Sequence, residues 1–206
     1  MSNPHFSTKE RILGAAEALF AQHGFAETSL RQVTSKADVN LAAVNYHFGS
    51  KRNLINEVFR RRLDELSHRR LQALRGVEAR DPSDLEGILA AFIEPALELS
   101  LDRRGGSAFV RVIARAYAEK DEQLRSFLSD NYGHVMREFA RAIATALPGL
   151  PRDRLYWRLD FIAGALTYAM ADFGQIKRPP GLSEQEHCRR AADELVRFAA
   201  AGLRAA

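Results

Sequence analysis

The residues best equipped for chemistry crowd into one stretch, VNLAAVNYHFGSKRNL, from Val39 to Leu54. An amide (Asn45), a phenol (Tyr46), an imidazole (His47) and an ammonium (Lys51) follow the small side chains Ala42 and Ala43. The mixture suits recognition. Small side chains let a helix backbone approach a major groove, Leu41 and the alanines can touch thymine methyls, and Asn45 can pair with an adenine edge. Tyr46, His47, Lys51 and the upstream Thr28 read as groups that position phosphates. A lysine in a first helical turn opposes the macrodipole, and the free N–H groups there favour an anion, so Lys51 fits best beside a phosphate. The bland alternative for Tyr46 and His47 is an aromatic pair packed on the next helix.

Three helices must position these side chains. Ser7 and Glu10 have capping-box spacing, and Ile12, Ala15, Ala16, Leu19 and Phe20 follow at helical intervals until Gly24 ends the run. Thr28 or Ser29 caps LRQVTSKA, with Leu30, Val33 and Ala37 inward. Asp38-Val39 makes a turn, and Asn40 caps LAAVNYHF, with Val44 and Phe48 inward. Gly49 closes that helix and Ser50 caps the next. Two short helices packed on a longer one form a helix-turn-helix unit over residues 1–52.

Residues 53–206 carry more helices. The fourth runs from Lys51 to Val77, with Arg60 to Arg62 read as a solvated face, and Asp81-Pro82 breaks it. Ser83 begins a helix to Ser100, which Pro95 kinks and in which it frees the carbonyl of Ala91. A short helix over AFVRVIARAYA, a long one from Asp121 to Leu147, one ending near Gln175 and a last one announced by Ser183 and Glu186 complete the chain. No β-branched alternation or internal repeat interrupts them. The predicted class is all-α, with about nine helices.

The 206 residues carry a formal charge of +4 and a pI near 9.4. Through Arg75 there are twelve Lys/Arg against seven Asp/Glu, so the basic excess sits with the reading segment. One cysteine, Cys188, excludes an internal disulfide framework and fits a reducing cytoplasm. No apolar run reaches the roughly 18 residues of a membrane span, so the expectation is a cytoplasmic protein without a membrane partner. A Gly-rich phosphate loop, HExxH and G-x-S-x-G are all missing, and the histidines are scattered, His134 with Glu138 being a helical i,i+4 pair. Neither an enzyme nor a cofactor is expected.

The segment ERILGAAEALFAQHGFAETSLRQVTSKADVNLAAVNYHFGSKRNLINEVF resembles the amino-terminal domain of the TetR family of bacterial regulators. Gly24-Phe25, Thr28-Ser29, Arg31, Val39, Tyr46-His47-Phe48 and Lys51 fall where that family has its signature. The resemblance implies a homodimer on a palindromic double-stranded operator, and a carboxy-terminal helical domain with a small-molecule pocket and a dimer interface. It places phosphate contacts on Thr28, Tyr46, His47 and Lys51, and base reading on Arg31, Leu41, Ala42, Ala43 and Asn45. Leu41 departs from the polar residue that some members carry there. Residues 28–51 further resemble PsrA-type regulators of fatty-acid degradation, which implies a long-chain fatty acid or acyl-CoA as effector. The expected function is a ligand-responsive repressor; the alternatives are an activator and a helix-bundle protein acting through a protein partner.

For the effector, Arg111 and Arg115, with Arg103 and Arg104 upstream, offer a cationic mouth, or else surface ion pairs with Glu119, Asp121 or Glu122. Phe92, Phe109, Ile113, Tyr117, Phe139, Trp157 and Phe161 are candidate pocket walls, or else plain core. For the dimer, Gly164, Ala165, Tyr168, Ala169 and Phe173 with Leu195, Phe198, Ala199 and Gly202 mix small residues that permit close approach with large ones that fill the remainder.

Overall fold

The computed structural model describes residues 6–102, 105–171 and 178–205. Among them are nine helices and no strand: α1 (Thr8–Glu27), α2 (Leu30–Ala37), α3 (Leu41–Phe48), α4 (Lys51–Arg80), α5 (Leu85–Ser100), α6 (Gly106–Glu119), α7 (Glu122–Ala146), α8 (Arg152–Met170) and α9 (Glu184–Arg204). The chain is all-α, as its periodicity predicts. No helix among the described residues is long and apolar enough to cross a membrane. They form two compact units, Met1–Asp64 with Arg103–Phe127, and Glu65–Asp102 with Leu128–Ala206. The first unit thus adds the early part of α4, all of α6 and the start of α7 to the expected 1–52 segment.

In the first unit, α1, α2 and α3 pack together and α6 lies along α1. Ile12, Phe20, Val33, Val44, Leu54 and Val58 have no exposed surface. A run of rings links the helices: Phe20 to Phe25 at 5.4 Å, Phe25 to Phe59 at 6.2 Å and Phe59 to Phe109 at 5.7 Å between centroids. Capping chemistry sets the helix starts. Ser7 with Glu10 and Ser29 with Gln32 form reciprocal capping boxes, Asn40 accepts from the Ala43 N–H at 2.8 Å, and Ser50 accepts from that of Asn53 at 3.1 Å.

Two expectations change here. The helical hydrogen bonding does not stop at Gly24; α1 continues to Glu27 across a kink where Gly24 takes φ 84° and ψ 176°. Nor is the run Arg60 to Arg62 a solvated face. Arg62 is buried, with its Nη2 3.2 Å from Oε1 of the equally buried Glu17, and Arg61 is half-buried with Nη1 3.8 Å from Oε2. Arg60 is exposed, its guanidinium over the Phe127 ring.

In the second unit α5 is the central helix, packed on α8 and α9, with Ile88, Leu89, Ile93 and Ala96 almost wholly inaccessible. Its cap is Asp84 and not the expected Ser83, because the Asp84 carboxylate accepts from the Gly87 N–H at 2.8 Å while Ser83 is tied to Asp81. Surface ion pairs of Arg204 with Glu86 and of Arg141 with Glu78 brace its periphery. The expected end of α8 near Gln175 lies outside the described residues.

Candidate nucleic-acid interface

The α2–α3 corner is built by backbone chemistry. Asp38 takes a left-handed conformation (φ 52°) in which its N–H reaches the carbonyls of Thr34 and Ser35 at the end of α2. Arg11, on α1, donates from Nη2 to the carbonyls of Ala37 (2.7 Å) and Asp38, holding the corner against the first helix. Sequence reading gave Arg11 no role, since its partners lie 26 and 27 residues away. With the corner fixed, α3 buries Val44 and Phe48 and turns Leu41, Ala42, Asn45, Tyr46 and His47 outward, with Ala43 half-buried. Tyr46 is 84% exposed and meets His47 edge-on at 5.1 Å, so it does not pack onto α4. Ser29 and Arg31 are exposed at the start of α2.

Two expected phosphate contacts are placed differently. Thr28 is 1% exposed, and its hydroxyl donates to the Gly24 carbonyl at 2.8 Å, so that side chain faces the fold and not solvent. Lys51 is half-buried, with its ammonium donating to the Ala26 carbonyl at 3.2 Å. A lysine has three N–H donors, so Lys51 keeps others for a phosphate while it supports this turn. The spacing S-x-x-Q from Ser29 to Gln32 is the signal that would have assigned the cap to Ser29 and released Thr28 for this inward role.

The same turn is held from α6. The Phe25 N–H donates to Oε1 of Glu119 at 2.9 Å and Arg115 donates from Nη2 to the Gln22 carbonyl at 3.2 Å, while just past α6 Asp121 pairs with Arg52 of α4 at 2.7 Å. The cationic mouth is therefore corrected in part: Arg115 serves α1, while Arg111 is exposed and Arg103 and Arg104 lie outside the described residues. A β-carbon at Gly24 would run into the Glu119 carboxylate, and its φ and ψ lie in a region that only glycine occupies readily. Gly24→Ala is expected to cost roughly 2–3 kcal/mol by urea denaturation. Adding Glu119→Ala should return the steric part and leave the backbone part. If the two losses simply add, Glu119 does not lie against Gly24.

The remaining candidates do not gather at one place. Phe109 is fully buried against Phe59 and Ile113 is half-buried, both in the first unit. Phe92 and Phe139 meet edge-on at 5.1 Å in the core of the second. Trp157 and Phe161 stand outside that core, 65% and 66% exposed, which corrects their expected place as pocket walls. The side chain of Tyr117 and the whole of Phe173 lie outside the described residues. On α8, Trp157, Phe161, Gly164 and Tyr168 follow at intervals of four, three and four and are all exposed, whereas Leu155, Leu159, Ile162 and Leu166 are buried on the opposite side. Phe198, 70% exposed, and Gly202 make a similar face on α9. Ala165, Ala169 and Leu195 flank these faces half-buried, and Ala199 is 2% exposed, so it packs inside the protomer and not on the outer face. No grouping of His, Cys, Asp and Glu among the described residues could hold a metal ion.

Comparison with known proteins sets these features in context. Residues 12–58 match the family described as "Bacterial regulatory proteins, tetR family", and residues 90–202 match "Tetracyclin repressor-like, C-terminal domain". The "Probable HTH-type transcriptional regulator YttP" of Bacillus subtilis is 42% identical over 52 residues, 25% of each chain. The HTH-type transcriptional repressor Rv3405c of Mycobacterium tuberculosis is 34% identical over 105 residues, 51% of this chain and 44% of that one. The chain thus spans between a quarter and less than half of the length of these curated relatives. The crystal structure of Mycobacterium smegmatis AmtR superimposes with a TM-score of 0.66 at 19% identity, over 96% of this chain and 88% of that one.

Proposed function

Because the chain belongs to the TetR family, whose members are DNA-binding regulators and not enzymes, we propose that it acts as a dimeric repressor of a palindromic operator, released by a small effector. The observation that carries this reading is the outer face of α3, where Leu41, Ala42, Asn45, Tyr46 and His47 stand exposed over a helix anchored by Val44 and Phe48. Small and amide side chains at its centre allow close approach and adenine readout, while the phenol and imidazole at its end reach toward phosphates. The exposed faces of α8 and α9 support pairing of two copies, and hence of two reading helices on two half-sites. For the effector we propose an elongated apolar molecule with an anionic end, a long-chain fatty acid or its CoA thioester, on the resemblance of residues 28–51 to PsrA-type regulators. It would act through different affinities for the DNA-bound and released states.

The test is footprinting of the DNA upstream of the protein's own gene, followed by gel shifts against random duplex. Asn45→Ala is expected to cost roughly 1–3 kcal/mol on the footprinted site and almost nothing on random DNA. Equal losses on both would remove Asn45 from base reading. Failure to protect any site would sink the repressor reading.

A further inference from the structure

Leu41 is a large apolar side chain left 44% exposed in the first turn of α3, on the face that carries Asn45 one turn further on. An exposed leucine by itself is ordinary. The setting of this one is not, because the polar side chains that flank the start of α3 are committed to the fold. Asn40 accepts from the Ala43 N–H at 2.8 Å, Gln32 accepts from the Ser29 N–H and hydroxyl at 2.7 and 2.9 Å, the Thr34 hydroxyl donates to the Arg31 carbonyl at 2.9 Å, and the Asn53 amide donates to the Phe48 carbonyl at 3.0 Å. Bidentate reading of adenine needs an amide with both its oxygen and its amino group to offer. Of the side chains of Gln32, Asn40, Asn45 and Asn53, that of Asn45 alone has no hydrogen-bond partner among the described residues.

At the first turn of α3 the outward surface is therefore made of Leu41 and Ala42, which have neither donor nor acceptor to give a base. In the major groove guanine shows N7 and O6, adenine N7 and its amino group, cytosine its amino group, and thymine O4 and a C5 methyl. A leucine pressed on a donor or acceptor strips its water and returns no bond, whereas a leucine on a methyl group buries apolar surface on both sides. The bland account is a leucine that half covers the edge of the core. The inward side of α3 is already filled by Val44 and Phe48, and a core-edge leucine has no part in the choice of base.

We propose that Leu41 reads the C5 methyl group of a pyrimidine, one in each half-site, so that thymine and 5-methylcytosine are accepted there and unmethylated cytosine is disfavoured. The proposal rests on α3 being the groove-binding helix, as above, and adds a base preference to it. Leu41 and Asn45 are four residues apart, about 6 Å along the helix axis, so the methyl group and the adenine that Asn45 reads lie within about two base pairs of each other. A site with cytosine at that position is bound according to its methylation.

Uridine scanning with the full chain tests this. The tightest site drawn from a random duplex pool is remade with each thymine replaced in turn by deoxyuridine, which removes the methyl group and keeps the hydrogen-bonding edge. Wild type is expected to lose about fourfold in affinity at one thymine per half-site and about fifteenfold when both half-sites are changed, the effect of leaving one and then two methyl groups unburied. With a cytosine paired to guanine at the same position, the 5-methylated base should bind about fourfold tighter than the unmethylated one. Leu41→Ala should bind thymine and uridine equally there, and Leu41→Met, which keeps an apolar end, should retain most of the difference. Each comparison is a ratio within one protein, so any change in stability cancels. The proposal is overturned if no thymine shows the loss in wild type, if the loss is undiminished in Leu41→Ala, or if 5-methylcytosine binds no better than cytosine. Those outcomes leave operator binding standing and remove only the base preference of Leu41, whereas a chain that selects no duplex over random DNA overturns both.

Discussion

A Phe198→Asp protein is expected to behave as a monomer in light scattering and to bind a palindromic duplex roughly 10²–10⁴-fold more weakly than wild type, the factor lost when two linked half-site contacts become independent. The reason is the amount of apolar surface that α8 and α9 leave uncovered. Trp157, Phe161, Tyr168 and Phe198 are each more than half exposed, whereas the intervening Leu159, Ile162, Val196 and Ala199 are buried within the protomer. Large apolar side chains at helical spacing form a continuous face, which a monomer rarely leaves in water. Gly164 and Gly202 lie exposed within it and let a facing helix approach closely. A two-fold axis brings the same patch of each copy together, so one aspartate per chain puts two carboxylates near that axis and removes two phenyl groups. Arg189→Asp, at an exposed position nearer the start of α9, is the control and should stay dimeric. A Phe198→Asp dimer of wild-type affinity would move the interface to another surface.

What the sequence discloses follows the range of the interactions involved. The reading unit is legible because local chemistry sets its limits: Ser7 with Glu10, Ser29 with Gln32 and Asn40 with the Ala43 N–H act within three residues. Val44 and Phe48 are four apart, enough to fix which side of α3 faces inward. The turn beneath it is another matter. Its shape depends on Glu119, 94 residues from Phe25, and on Lys51, 25 residues from Ala26, and no short-range pattern announces either contact. Thr28 and Lys51 therefore read as surface groups from sequence, although the fold draws both toward the turn. The effector side was least legible, because aromatic residues at helical spacing look alike whether they fill a core, line a cavity or face a second protomer. Phe139 and Phe161 carry the same side chain, and only packing distinguishes them, at 1% and 66% exposed.

One long-range feature did leave a trace. On α4, Arg62 stands four residues after Val58 and four before Leu66, both buried, and on α1 Glu17 falls among the buried Leu13, Ala16 and Phe20. Opposite charges that interrupt two apolar stripes are positioned to meet, and in the structure Arg62 Nε and Nη2 lie 3.3 and 3.2 Å from Glu17 Oε1. Gly105 shuts the site: a β-carbon there would sit 2.7 Å from Arg62 Nη2 and 3.1 Å from that same oxygen, and its φ of 111° suits glycine. Taking two charges out of water is costly, so the pair contributes little to stability relative to well-packed apolar residues, yet removing one partner is severe. Glu17→Ala is expected to lower stability by about 3–5 kcal/mol, because Arg62 loses its carboxylate and Arg61 Nη1, already buried without a hydrogen-bond partner, loses its nearby counter-charge. Glu17→Leu combined with Arg62→Met should recover the part of that loss that comes from Arg62, since neither charge of that pair remains, while Arg61 still lacks its counter-charge. Chemical denaturation of wild type, Glu17→Leu, Arg62→Met and the double variant gives the coupling directly. A Glu17→Ala loss below about 1 kcal/mol would mean that water reaches the pair, which is the usual range for exposed ion pairs. A double variant no more stable than Glu17→Ala would mean that the charges, and not the volume they fill, hold α1 to α4.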